Sequence, residues 1–157
     1  MSYNGGTLLA MRGDHCVAIG SDLRLGSRFL TVMTDKEKVY KIGDRLYLGI
    51  AGLDTDAQTI VQRMLFRRNV YELRENRHVS PKVFVRMLSN LLYEMRFGPY
   101  FCEPIVAGLE PKTYEPYIAG MDLIGCVTEP EDFVTTGTGA LQLYGLCENV
   151  WQKNMVY

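Results

Sequence analysis

The hydrophobic period of this chain changes along its length, and the changes fix the order of its parts. From Thr7 to Gly52 apolar residues come in short runs separated by turn formers. At Asp54 the spacing lengthens to that of a helix, and near Pro104 it shortens again. Strand pairs therefore stand on both sides of a helical block. No internal repeat, low-complexity stretch or linker divides the 157 residues, so residues 1–157 read as one domain. Sheets that are apolar on both faces need cover on both. The economical architecture is an α+β, four-layer α-β-β-α sandwich.

The first two runs, Asn4 to Met11 and Cys16 to Arg24, form a predicted antiparallel hairpin about Gly13-Asp14-His15. Their weak alternation predicts strands covered on both faces. Leu25-Gly26-Ser27-Arg28 reads as a polar loop, and Phe29 to Met33 as a weaker extended stretch. A second hairpin pairs Lys38 to Ile42 with Arg45 to Gly52 through Gly43-Asp44. Its return strand ends in Gly49, Ala51 and Gly52, small enough for a backbone or a substrate to approach closely.

Asp54 or Thr55 is placed to cap a helix reaching about Asn76, with Ala57, Ile60, Val61, Met64, Leu65 and Tyr71 as its buried stripe. Arg63, Arg67, Arg68, Glu72 and Arg74 fall on a solvated face. Ser80-Pro81 opens a second helix whose stripe runs from Phe84 to Met95, and Phe97-Gly98-Pro99-Tyr100 stops it. Strands return at Pro104–Leu109, Tyr117–Asp122 and Phe133–Thr136, with Leu123–Cys126 a candidate extension of the sheet. Gly137-Thr138-Gly139 starts a helix from Ala140 to about Val150, with Thr138 as the expected capping hydroxyl.

Composition excludes several classes of partner. Net charge is −1, which gives no electrostatic footprint for nucleic acid. No apolar run approaches a membrane span, and the opening residues lack the charged start and apolar core of a secretory signal. Cys16, Cys102, Cys126 and Cys147 form no Cys-x-x-Cys pair, and His15 and His78 have no second ligand nearby in sequence. They read as reduced, mostly buried thiols and not as a zinc site, so neither metal nor cofactor is expected.

The chemical question is set by Gly6-Thr7. A glycine before a threonine at the start of a strand suits a hydrolase in which the threonine hydroxyl attacks and its own free amine takes the proton.

Several stretches together resemble one family, the β-type subunits of the proteasome core particle, which are N-terminal nucleophile hydrolases. They are Val17-Ala18-Ile19-Gly20-Ser21-Asp22-Leu23-Arg24, Lys38-Val39, Ile50-Ala51-Gly52 and Gly137-Thr138-Gly139. Tyr3-Asn4-Gly5-Gly6, Gly43-Asp44-Arg45-Leu46-Tyr47, Asn90-Leu91-Leu92-Tyr93-Glu94, Arg96-Phe97-Gly98-Pro99-Tyr100 and Asp122-Leu123-Ile124-Gly125-Cys126 look like a non-catalytic member of that family.

The resemblance implies a nucleophile position at Gly6, an aspartate at Asp22, a lysine at Lys38 and an oxyanion-binding N–H at Gly52. With glycine at the nucleophile position there is no hydroxyl to attack, so the chain is expected to carry no catalytic residue. Asp22, Lys38 and Gly52 are then remnants, or a buried pair and a packing glycine that fix strand register. The alternative is an active subunit using Thr7 after processing. Against it, Thr7 lies one residue too close to Asp22 and Lys38, and one residue of slip turns a strand side chain to the other face.

The resemblance further implies α and β subunits in stacked sevenfold rings as partners, protein degradation as the pathway, and cytoplasm and nucleus as the location. It stops near Trp151. The sequence is expected to be a C-terminally truncated form, lacking the last helices and strands, whose isolated product is unstable; an interfering role is the third reading.

Overall fold

Strand β1 (Thr7–Arg12) lies in the middle of a three-stranded antiparallel sheet, between β2 (Val17–Ser21) and β10 (Phe133–Gly137). The computed structural model of the chain describes residues 4–156, so Tyr3 and Tyr157 lie outside the described residues. The β1–β2 hairpin follows the turn chemistry of Gly13-Asp14-His15. The β1–β10 pairing is non-local, with Thr7 opposite Gly137 and Met11 opposite Phe133. Neither pairing of β1 shifts register.

A separate ribbon, β3 (Leu25–Ser27) with β4 (Leu30–Met33), replaces the expected polar loop. Its organiser is Arg24. The guanidinium Nε donates to Thr31 Oγ1 at 2.9 Å and Nη2 to the Leu30 carbonyl at 3.1 Å, which ties the two arms together.

The second hairpin is β5 (Val39–Gly43) and β6 (Leu46–Gly52), joined through Asp44-Arg45. It enters a five-stranded antiparallel sheet of order β5-β6-β7-β8-β9, completed by β7 (Cys102–Leu109), β8 (Pro116–Met121) and β9 (Val127–Thr128). Leu123–Cys126 does not extend the sheet. Asp122 Oδ1 accepts the N–H groups of Ile124 and Cys126, and that turn returns the chain to β9.

Helix α1 (Asp54–Glu75) and α2 (Pro81–Glu94) fill the connection from β6 to β7. The N-cap of α1 is Leu53, not Asp54 or Thr55. Asn76, in the left-handed conformation, ends it. Ser80 caps α2 through Oγ, which accepts the Val83 N–H, and Pro81 takes the first position. Met95 falls just past the end of α2 and is exposed. The basic face of α1 is bonded to the protein body as well as wet: Arg63 donates to Tyr100 OH, Arg67 pairs with Glu94, and Arg68 reaches the Ile42 carbonyl.

Two cores define the layers. In one, α1 and α2 press Ile60, Met64, Phe84, Leu88 and Leu91 onto Leu48, Ile50 and Val106 of the five-stranded sheet. In the other, the two sheets face each other through Leu8, Ala10, Ala51, Ile105, Ile118 and Val134. Helix α3 (Ala140–Val150) lies on the far face of the smaller sheet, where Tyr144 packs on Phe133 with ring centroids 5.9 Å apart. That face is only half covered, and β2 is an edge strand with no fully buried residue, so cover on both faces fails there. Cys102 and Cys147 are buried, whereas Cys16 is half-buried and Cys126 exposed, so burial holds for two thiols of the four. Burial pushes the Cys102 thiol up to about 12, which makes it unreactive.

Candidate functional site

The period of two along β1 sorts its side chains to two faces. Leu8 and Ala10 enter the space between the sheets, whereas Thr7 and Leu9 face α3. Gly6 belongs to the inner set. A Cβ built on it would lie 2.9 Å from Lys38 Cε and 3.6 Å from Ala51 Cβ. Its φ of +115° is one that residues with a side chain rarely adopt.

The Thr7 hydroxyl is on the other side of the sheet. Its Oγ1 accepts the N–H of Gly139 at 3.1 Å, and a Cβ on Gly139 would strike it at 2.8 Å. Thr7 thus supplies a cap to α3 across 132 residues of sequence. The helix begins after Gly139 without a side-chain cap of its own, and Thr138 donates instead to the Gly6 carbonyl through N–H (3.0 Å) and Oγ1 (3.5 Å).

Lys38 is buried, with 5% of its surface exposed, and its Nζ is fully directed at Asp22: 2.9 Å to the carbonyl and 3.2 Å to Oδ1. The Asp22 carboxylate also accepts the N–H of Thr7 at 2.8 Å and that of Arg24 at 3.1 Å. Burial alone would raise its pKa. The Thr7 N–H, Lys38 and the Arg24 N–H outweigh that and hold it below the ordinary value of 3.8. The nitrogen of Thr7 is here a peptide amide that donates to Asp22. It has no basic lone pair, so it cannot take a proton from a hydroxyl.

Gly52 closes the end of β6 at φ +127°, where the Phe101 carbonyl approaches too closely for a Cβ. Gly52 therefore admits a neighbouring backbone of the same chain, whereas Gly49 makes room for the Leu8 and Ile19 side chains. Gly5, Gly6, Gly52, Glu103, Gly137 and Thr138 line an open cleft of about 240 Å³ above it. Glu103 was not singled out in the sequence; its Oε2 accepts the Thr136 hydroxyl at 2.8 Å across the two sheets. Asn4 also carries more than its place before a double glycine suggested. Its Oδ1 accepts the Asp54 N–H at 3.0 Å, capping α1 from outside the helix. A side-chain amide before two flexible residues is the only local hint of that role.

The structure thus brings Gly6, Lys38, Asp22 and Gly52 to one end of the inter-sheet space and sets the Thr7 hydroxyl apart from them. A proteasome-subunit family model matches residues 2–156. The chain belongs to the proteasome subunit family. It is 55% identical over 155 residues to the proteasome subunit beta type-3 of Caenorhabditis elegans, a match covering 99% of this chain and 76% of that protein. The beta type-3 subunit of Drosophila melanogaster is 56% identical with the same coverage. That of Saccharomyces cerevisiae is 47% identical over 154 residues, covering 98% of this chain and 75% of its own.

Proposed function

We propose that the chain is a non-catalytic β-type subunit of the proteasome core particle, with a four-layer domain of the N-terminal nucleophile hydrolase type. It contributes ring contacts and chamber wall to ATP- and ubiquitin-dependent protein degradation, beside α and β neighbours in stacked sevenfold rings of the cytoplasm and nucleus. Asp22, Lys38 and Gly52 are the retained frame of a centre whose nucleophile position is Gly6.

One observation carries the reading. The position facing Lys38 bears a hydrogen, while the hydroxyl of the next residue, Thr7, is spent on the amide of Gly139. Identity of 47–56% to beta type-3 subunits over nearly the whole chain supports the assignment to a core β subunit.

The test is to express the tagged chain in eukaryotic cells, isolate what co-purifies and treat it with a threonine-directed epoxyketone. The expected result is capture of α and β subunits, with probe adducts on other chains only. An adduct on this polypeptide, or its purification without any family partner, overturns the reading.

A further inference from the structure

Asn4-Gly5 is the only Asn-Gly pair in the sequence. Such a pair is chemically fragile wherever it is free to move. The main-chain nitrogen of the glycine attacks the asparagine Cγ, its proton passes to water, and Nδ2 leaves as ammonia, closing a five-membered imide. Water then opens the imide at either carbonyl and leaves aspartate or isoaspartate. The balance is asparagine plus water giving ammonia plus the acid, with no oxidant or reductant. Glycine permits the ring closure best, because it has no Cβ to obstruct it.

The fold requires both members of the pair. Gly5 sits at φ +75°, which favours glycine, although a Cβ there would meet nothing closer than Arg24 Nη1 at 3.9 Å. Asn4 is required for its amide. Nδ2 donates to the Gly26 carbonyl of β3 at 3.0 Å, and Oδ1 accepts the Asp54 N–H, at the start of α1, at 3.0 Å. An aspartate would supply the acceptor but not the donor. The same two bonds hold the amide at both ends, so Cγ cannot swing onto the Gly5 nitrogen until they break. The Asn4 carbonyl, which accepts the Gly26 N–H at 3.1 Å, fixes the main chain at the same place. Asn4 is only half-buried, so geometry and not dryness is what guards it.

We propose that Asn4-Gly5 is a latent self-modification site. The folded chain keeps it unreactive by pinning the Asn4 amide between β3 and α1, and it converts to aspartate and isoaspartate when the segment comes away. Either product lacks the donor to Gly26, and isoaspartate adds a main-chain carbon ahead of β1. Conversion therefore marks chains whose opening segment has spent time undocked. All the contacts lie within one chain, so the proposal does not depend on assembly into a ring.

The test is to incubate the full chain at neutral pH and follow aspartate and isoaspartate at Asn4 by peptide mapping with mass spectrometry. The reference is the capped peptide acetyl-Ser-Tyr-Asn-Gly-Gly-Thr-Leu-amide. The folded chain is expected to convert at least about tenfold more slowly than the peptide, since two hydrogen bonds must open first. Leu53, at φ −77° and ψ 117°, already has the backbone that precedes a proline, and the first position of a helix accepts one. Asp54→Pro therefore deletes the donor to Oδ1 and is expected to speed conversion about fivefold. Asp54→Ala loses the ion pair with Lys36 but keeps the N–H, so it should convert at the wild-type rate.

Conversion of the folded wild-type chain at the peptide rate overturns the proposal. So does an unchanged rate in an Asp54→Pro variant that keeps amide protection at Val106, or equal acceleration by Asp54→Ala. If Asp54→Pro unfolds, the comparison of the folded wild-type chain with the peptide decides alone.

Discussion

Gly6 and Thr7 are adjacent and do opposite things. Gly6 needs both the absence of a Cβ, because of Lys38, and a positive φ. Gly6→Ala is expected to cost about 1–3 kcal/mol in denaturant unfolding, from backbone strain and from displacing the lysine stem. Thr7→Ala removes the acceptor for Gly139, with an expected loss of about 1 kcal/mol that Thr7→Ser restores, since only the hydroxyl is needed. A larger loss in the serine variant than in the alanine variant would contradict this.

Asp22 governs an acid dependence. Its folded pKa is depressed, so its contribution is fully present above the unfolded value near 3.8 and disappears as pH falls through the folded value. Its carboxylate is 38% exposed, so solvent screens the charge, and Asp22→Asn is expected to cost only about 1 kcal/mol at pH 7. In paired melts from pH 7 to pH 2 the gap between wild type and variant should narrow below about pH 4. A gap constant across that range would show that the charge contributes nothing.

At the scale of elements, the β4 arm of the β3–β4 ribbon is tied down by the Arg24 guanidinium. Arg24→Ala removes the bonds to Thr31 and Leu30. It should raise amide exchange across Leu30–Met33 while the β6 and β7 amides stay protected, because the ribbon shares no strand with either larger sheet. Uniform loss of protection would mean that the clamp supports the whole fold. Local chemistry made the hairpins, Ser80-Pro81 and the helix stripes legible in sequence, since each depends on neighbours a few residues away. Period and turn residues also placed α3 where it is. What the sequence hid is long-range. The β1–β10 pairing and the capping of α1 by Asn4 and of α3 by Thr7 depend on residues far apart in sequence. Asp54, Thr55 and Thr138 suit capping by type, yet groups distant in sequence took that role at both helix starts.

At the scale of the whole molecule, the outside is unusually apolar in places. Phe29, Leu30 and Val32 on the ribbon, Phe97 after α2, and Leu141 and Leu146 on α3 are largely exposed. Such surface favours association. The isolated chain is expected to self-associate with rising concentration in light scattering, and neighbours supplied by co-expression should suppress this. A monodisperse monomer at high concentration would count against these patches as contact surfaces. The two-sided role of β1 bears on any attempt to restore catalysis. One codon could put a hydroxyl beside Lys38. Freeing an amine next to it would demand scission of the very segment through which Asn4 fastens a helix to a ribbon. On the function proposed above, inactivity rests on architecture as much as on the missing side chain at Gly6.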